Sequence, residues 1–169
     1  MRLKSIFALA ILVSLLLAAG CGGPECSKTV SSDKIDAVDQ TQLATDAATI
    51  DAYLTTNNVA NVQKDPSGIS YVITKAVSGG TPCIENQVSV VYDVKLIPSL
   101  KAVDSSKGAA VAFKLSQLIL AWQIMFPQFP NGTKAVLYVP SGFAYGATAT
   151  GAIPANSNLI FTIELVGIR

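Results

Sequence analysis

The stretch Val88-Ser89-Val90-Val91-Tyr92-Asp93-Val94-Lys95-Leu96 sets Val88, Val90, Tyr92, Val94 and Leu96 against Ser89, Val91, Asp93 and Lys95. A period of two with one apolar side is the pattern of a strand that buries one face. Upstream, the turn signal Asp65-Pro66-Ser67-Gly68 opens a second alternating run, Ile69, Tyr71 and Ile73 against Ser70, Val72 and Thr74, and Gly79-Gly80-Thr81-Pro82 separates the two runs. Downstream come a short candidate over 111–115, another at Ala135, Leu137 and Val139, and a last with Leu159, Phe161, Ile163 and Leu165 set against Ile160, Thr162, Glu164 and Val166. One helical pattern interrupts them, Leu118, Ile119, Trp122, Met125 and Phe126, with Ser116 the expected N-cap and Pro127 the expected stop. Five strands and one short helix predict an antiparallel sheet with the helix packed on one face, an α+β roll.

Toward the N-terminus, residues 36–56 place Leu43, Ala47, Ile50 and Leu54 at helical spacing, and Asn57-Asn58 ends the run. So narrow an apolar stripe suits either a packing element on the side of the domain or a dimerisation arm. Residues 22–33 are rich in Gly, Pro, Ser, Thr and charge and read as a tether. The first twenty residues carry Arg2 and Lys4, then an apolar run interrupted only by Ser14, then Ala18-Ala19-Gly20 before Cys21. That order is the pattern of a secretion signal, and the apolar run is short for a membrane span with no basic flank after it. The ending Leu17-Ala18-Ala19-Gly20-Cys21 resembles the lipobox of bacterial lipoproteins, with Leu17 one place further upstream than is usual. It implies an acylated Cys21.

The whole chain has 169 residues, 12 Lys and Arg against 11 Asp and Glu, three Cys and no His. Near-neutral charge with no basic stripe argues against nucleic acid as a partner. The lack of His removes Ser-His-Asp and Cys-His catalysis, and with no CxxC pair no metal site or cofactor is expected. What remains is chemistry done by carboxylates, hydroxyls, apolar pockets or backbone groups. With Cys21 committed to lipid, Cys26 and Cys83 are either a disulfide in an oxidising compartment or two free thiols.

Residues 140–157 carry Gly142, Gly146, Gly151 and Pro154 and read as a loop, yet they hold Phe143, Tyr145 and Ile153. Bulky apolar residues on so long a loop point to a binding surface.

An ordered set of short motifs then carries a resemblance over residues 59–169. It runs Val88-Ser89-Val90-Val91-Tyr92, Val103-Asp104-Ser105-Ser106, Phe113 to Trp122, Asn131-Gly132, and Leu137-Tyr138-Val139-Pro140. It continues with Phe143-Ala144-Tyr145-Gly146, Ile153-Pro154, and Asn158 to Leu165. In this order and spacing the chain resembles the FKBP-type peptidyl-prolyl isomerases. The resemblance implies a curved antiparallel sheet of five to six strands wrapped on one short helix, here preceded by the N-terminal amphipathic helix, with an apolar pocket for a proline ring.

By position, Trp122 resembles the pocket floor, Tyr92, Phe161, Ile119 and Ile153 its walls, and Asp104 and Tyr145 the polar contacts at its rim. The Ile119 amide matches a position that binds a substrate carbonyl. Tyr92, Asp104, Trp122, Tyr145 and Phe161 are thus the expected catalytic residues, and Val103, Val111, Leu118, Ile119 and Ile153 the expected substrate-binding ones. From the residues alone, Trp122 reads equally as core, Asp104 as a turn residue, and Tyr92 as sheet filling. The chain departs from the family pattern at Val103 and Val111, where aromatics are usual, at Met125, and by one extra residue between Tyr92 and Asp104, which together imply a wider pocket.

The expected organisation is a signal peptide over 1–20, a lipid-anchored linker over 21–35, a helix over 36–58 and the isomerase-like domain over 59–169. The expected activity is isomerisation of proline-containing exported polypeptides in the bacterial envelope, at the outer membrane or the periplasmic face. A non-catalytic chaperone or peptide-binding module, and a purely structural lipoprotein, are the alternatives.

Overall fold

The structure is a computed structural model and describes residues 26–169. The expected signal peptide and Cys21 lie outside the described residues.

Among the described residues seven strands form one antiparallel sheet: β1 (Gln63–Lys64), β2 (Ser70–Lys75), β3 (Gln87–Leu96), β4 (Ala102–Ser105), β5 (Val111–Lys114), β6 (Lys134–Val139) and β7 (Leu159–Ile168). Their spatial order is β1-β2-β6-β7-β3-β4, with β5 also on β3. All five strands expected from alternation are present; β1 and β4 are additional. β4 and β5 share the outer edge of β3, β5 pairing with its first half and β4 with its second. Ser106 closes the gap between them: its N–H donates to the Tyr92 carbonyl at 2.9 Å, and its Oγ accepts from the Tyr92 N–H at 3.0 Å.

The sheet is covered on both faces. On one face Val88, Val90 and Val94 of β3, Leu137 of β6, and Phe161 and Ile163 of β7 meet α3 (Leu120–Met125), whose Ala121, Trp122 and Met125 are buried. α3 begins later than expected. Its N-cap is Ile119 rather than Ser116, because Leu115–Gln117 form a separate 3-10 turn and Leu118 and Ile119 are extended. Pro127 does not end the helical path either, since it sits in the first turn of a 3-10 segment, Phe126–Gln128, where its missing N–H costs nothing.

On the opposite face Tyr138 and Ile160, partners in the β6–β7 register, are buried under Ile50 and Leu54. Those two belong to α2 (Gln40–Thr56), a shorter helix than the 36–58 element expected from periodicity. A five-residue α1 (Ser32–Asp36) precedes it, and the break comes at Asp39, whose carboxylate caps α2 by accepting from the Thr41 and Gln42 N–H groups at 2.9 and 3.1 Å. Burying Ile50 and Leu54 favours docking by about 1.5–3 kcal/mol each, enough to hold the helix on the sheet. α2 is therefore a packing element of the domain.

The segment expected as a tether is also fastened, from Cys26 onward. Cys26 and Cys83 form a disulfide with their Cα atoms 5.2 Å apart, within the usual span. Beside it the Ile84 N–H donates to the Ser27 carbonyl at 2.7 Å.

Candidate active site

Trp122 is the only Trp of the chain and is 4 % exposed. Three rings stand nearly upright to its indole: Tyr92 at 5.6 Å and 77°, Phe113 at 6.1 Å and 78°, and Phe161 at 5.6 Å and 75°. Phe126 supports it at 4.8 Å, tilted by 39°. Edge-to-face contacts of this kind are each worth about 0.5–1.5 kcal/mol beyond area burial, so the box is stiff. A cavity of about 200 Å³ is lined by Trp122, Tyr92, Phe113 and Phe161 with Leu118, Ile119, Asp104 and Tyr145, while Phe126 lies behind the indole. That is several times the ~30 Å³ share of a water molecule but below the ~300 Å³ lower limit for drug-sized ligands, so the space suits one small ring.

Each wall has a local reason. Tyr92 and Phe161 reach the cavity because β3 and β7 are neighbours, with Val94 opposite Phe161 in register. Leu118 and Ile119 reach it because they are extended just before α3, and Gln123 fixes that stretch by donating from Nε2 to the Leu118 carbonyl at 2.6 Å. The Ile119 N–H has no hydrogen-bond partner among the described residues and is a donor available at the cavity wall.

The rim is polar. The Tyr92 hydroxyl donates to Asp104 Oδ2 at 3.1 Å, while Asp104 Oδ1 accepts from the Ser105 N–H at 2.8 Å. Asp104 thus lies within β4, opposite Val94, rather than in a turn, and its carboxylate stands at the rim. The Tyr145 hydroxyl has no partner among the described residues. Burial, and then the negative charge of Asp104, push both Tyr92 and Tyr145 above the ordinary phenol value of 10.0. Burial raises Tyr138, under α2, in the same way. All three phenols therefore remain protonated donors throughout the neutral range.

Because the folded chain holds these protons more tightly than the unfolded one, the stability they carry is whole below pH 10 and is lost as the pH rises through the raised values. An ultraviolet titration of the folded protein should show tyrosines ionising above pH 10, with one late component missing in Tyr92→Phe and one in Tyr145→Phe. Disappearance of an early component instead would contradict the burial of these phenols.

Of the expected site residues, Tyr92, Asp104, Trp122, Tyr145, Phe161, Leu118 and Ile119 meet at the cavity. Val103, Val111 and Ile153 do not line it. Val103 is partly buried against the core, Val111 lies opposite Val90 on β5, and Ile153 is 5 % exposed with both its N–H and its carbonyl bonded to Thr150. Phe113 lines the cavity instead. It lies two residues beyond Val111 on the same side of β5, so alternation alone placed both on the inward side and ring size decided which one reached the cavity.

The FKBP-type peptidyl-prolyl cis-trans isomerase family model matches residues 79–166, more than half of the chain. The chain is 34% identical over 113 residues to the FKBP-type peptidyl-prolyl cis-trans isomerase FkpA of Buchnera aphidicola subsp. Acyrthosiphon pisum, covering 66% of this chain and 47% of that protein. It is 32% identical over 122 residues to the outer membrane protein MIP of Legionella longbeachae, covering 70% and 52%. The chain therefore spans about half the length of these curated relatives. The crystal structure of a peptidyl-prolyl cis-trans isomerase from Pseudomonas syringae pv. tomato superposes with a TM-score of 0.66 at 27% identity, covering 76% of this chain and 94% of that one. With the ordered motifs, the sheet around α3 and the matched family model all in agreement, this chain belongs to the FKBP-type peptidyl-prolyl cis-trans isomerases.

Proposed function

We propose that this protein catalyses cis-trans isomerisation of X-Pro bonds in exported polypeptides, from a lipid-anchored position in the bacterial envelope. The observation that carries the reading is the cavity of about 200 Å³ floored by Trp122, whose walls are aromatic and aliphatic and which the Tyr92 and Tyr145 hydroxyls and the Ile119 N–H border. Rotation about the X-Pro bond faces a barrier of roughly 18–20 kcal/mol, because resonance holds the amide planar. No proton or nucleophile is required.

The planar amide is more dipolar than the twisted one, so transfer from water into an apolar box raises the ground state relative to the transition state. The pyrrolidine ring sits on the Trp122 indole between Tyr92, Phe113 and Phe161, and the Ile119 N–H and the Tyr145 hydroxyl hold a neighbouring carbonyl. Asp104 keeps the Tyr92 hydroxyl directed to the rim. Spontaneous isomerisation takes tens to hundreds of seconds, so even modest stabilisation of the twisted amide is useful to a folding chain.

The test is a refolding or protease-coupled assay on protein beginning at Gly22, which keeps Cys26 and Cys83. Acceleration of X-Pro isomerisation is expected. Suppressed aggregation of an unfolded client with no acceleration would replace the enzyme by a chaperone.

Placement in the envelope is supported by the signal-like first twenty residues, by the disulfide, which suits an oxidising compartment, and by the similarity to an outer membrane protein. Acylation at Cys21 is supported by the small residues before it. Cys21→Ser should leave the precursor uncleaved and unlipidated, as read by intact mass and detergent partitioning. Normal maturation of that variant would refute the anchor.

A further inference from the structure

We propose that Asp46, which lies on α2 outside the cavity, is a positioning residue for it, holding through Ser141 the loop that carries Tyr145; the inference rests on the isomerase reading above. Asp46 is 2 % exposed and forms no ion pair among the described residues. A buried carboxylate is costly unless it is fully hydrogen-bonded, and this one is. Its Oδ2 accepts from the Ser141 N–H at 2.8 Å and from the Ser141 hydroxyl at 2.6 Å, and its Oδ1 accepts from Gln42 Nε2 at 2.8 Å.

Ser141 opens the loop after β6, and its carbonyl accepts from the N–H groups of Ala144 and Gly146 at 2.9 and 2.8 Å, the two residues flanking Tyr145. Asn158, at the far end of the loop, accepts from the Ser141 N–H through Oδ1 at 3.0 Å, and the Asn156 N–H donates to the Gly146 carbonyl at 2.8 Å. The bonds from the two residues flanking Tyr145 thus converge on Ser141, which Asp46 holds by both of its donors. A second contact supports the same docking. Val38, between α1 and α2, sits so close over Gly142 that an added Cβ there would collide with its Cγ1. Neither Asp46 nor Ser141 lines the cavity, so their effect must pass through the loop.

The test is a double-mutant cycle on the whole protein with a proline-containing peptide as substrate. Asp46→Asn keeps the shape of the side chain and one acceptor oxygen but removes the charge. It should lower kcat/KM on the order of tenfold, the scale expected when a substrate-contacting group is misplaced. In the Tyr145→Phe background the same substitution should cost little more, because the hydroxyl it misplaces is already gone. Equal losses in both backgrounds would show that Asp46 merely supports the domain, and would overturn the proposal. So would unchanged kcat/KM in a well-folded Asp46→Asn protein. If that variant does not fold, Ser141→Ala, which removes only the hydroxyl donor, carries the same cycle. If the native protein does not isomerise X-Pro bonds, the isomerase reading fails separately, and the proposal is decided by phenol titration. Asp46→Asn should then return the late Tyr145 component toward the ordinary phenol value, and an unmoved component would overturn it.

Discussion

Trp122→Ala is expected to remove nearly all of the proposed isomerase activity and to destabilise the protein by about 3–5 kcal/mol. Against a total stability of about 5–15 kcal/mol for a domain of this kind, that is a large fraction. The indole is in contact with Tyr92, Phe113, Phe126 and Phe161 at once, so its loss opens a hole beneath the cavity and frees four rings that now hold each other. The hole is not refilled by rotation of α3, because Ala121 and Met125 of the same short helix are already buried at 0 % exposure. Urea unfolding followed by far-ultraviolet circular dichroism reads the stability without needing the lost fluorophore, and the coupled assay reads the rate. Retention of activity in a folded Trp122→Ala protein would mean that proline binds somewhere other than on this floor.

Reduction of the Cys26–Cys83 bond is expected to lower the thermal midpoint by about 10 °C. The two cysteines are 57 residues apart, and closing a loop of that size restricts the unfolded chain by about 4 kcal/mol in the chain-entropy account. For a domain of this length each kcal/mol moves the midpoint by about 2–4 °C. The bond encloses α1, α2, β1 and β2, so its loss frees the N-terminal segment that runs beside Ile84, while Ile50 and Leu54 keep α2 on the sheet. Scans with and without reductant measure the shift. Two titratable thiols in the unreduced, denatured protein would show that the bond does not form.

The parts of the fold visible in the sequence are those where burial on a single face writes a period of two: β2, β3, β5, β6 and β7. β1 and β4 were invisible because two exposed residues, and four that are exposed or half-buried, carry no apolar rhythm. The back face of the sheet was also hidden. Ile160 and Tyr138 looked like ordinary outward positions, and only α2 makes them inward ones. The start of α3 was misplaced because local capping chemistry favours Ser116, whereas the cavity requires Leu118 and Ile119 to be extended. By contrast, the break before α2 had a local signal: Asp39 followed three residues later by Gln42 has the spacing of a capping pair.

At the site, the ordered motifs located Tyr92, Trp122, Tyr145 and Phe161, since neighbouring strands and one helix bring them together. They also pointed to Ile153, which the loop turns into the core. Asp46 was readable in principle. It lies four residues before Ile50 and eight before Leu54, on the apolar stripe itself, and a carboxylate on such a stripe needs a partner. Ala47, next to it, fits the same spacing and is apolar, which masks the carboxylate in the pattern.

The interrupted outer edge of β3 bears on the aggregation risk that the proposed function would bring. An open strand edge is a template on which an unfolded polypeptide can add itself as a further strand. Here one margin is divided into β4 and β5, four residues each, separated by the excursion that Ser106 pins. On the other margin β1 covers the first residues of β2, and the pairing of β2 with β6 on its inner side shifts register between Ile73 and Lys75, which bends the strand. Neither margin offers a long flat run of unpaired amides and carbonyls. With the proposed function, an unfolded chain would meet the aromatic cavity and little backbone on which to aggregate.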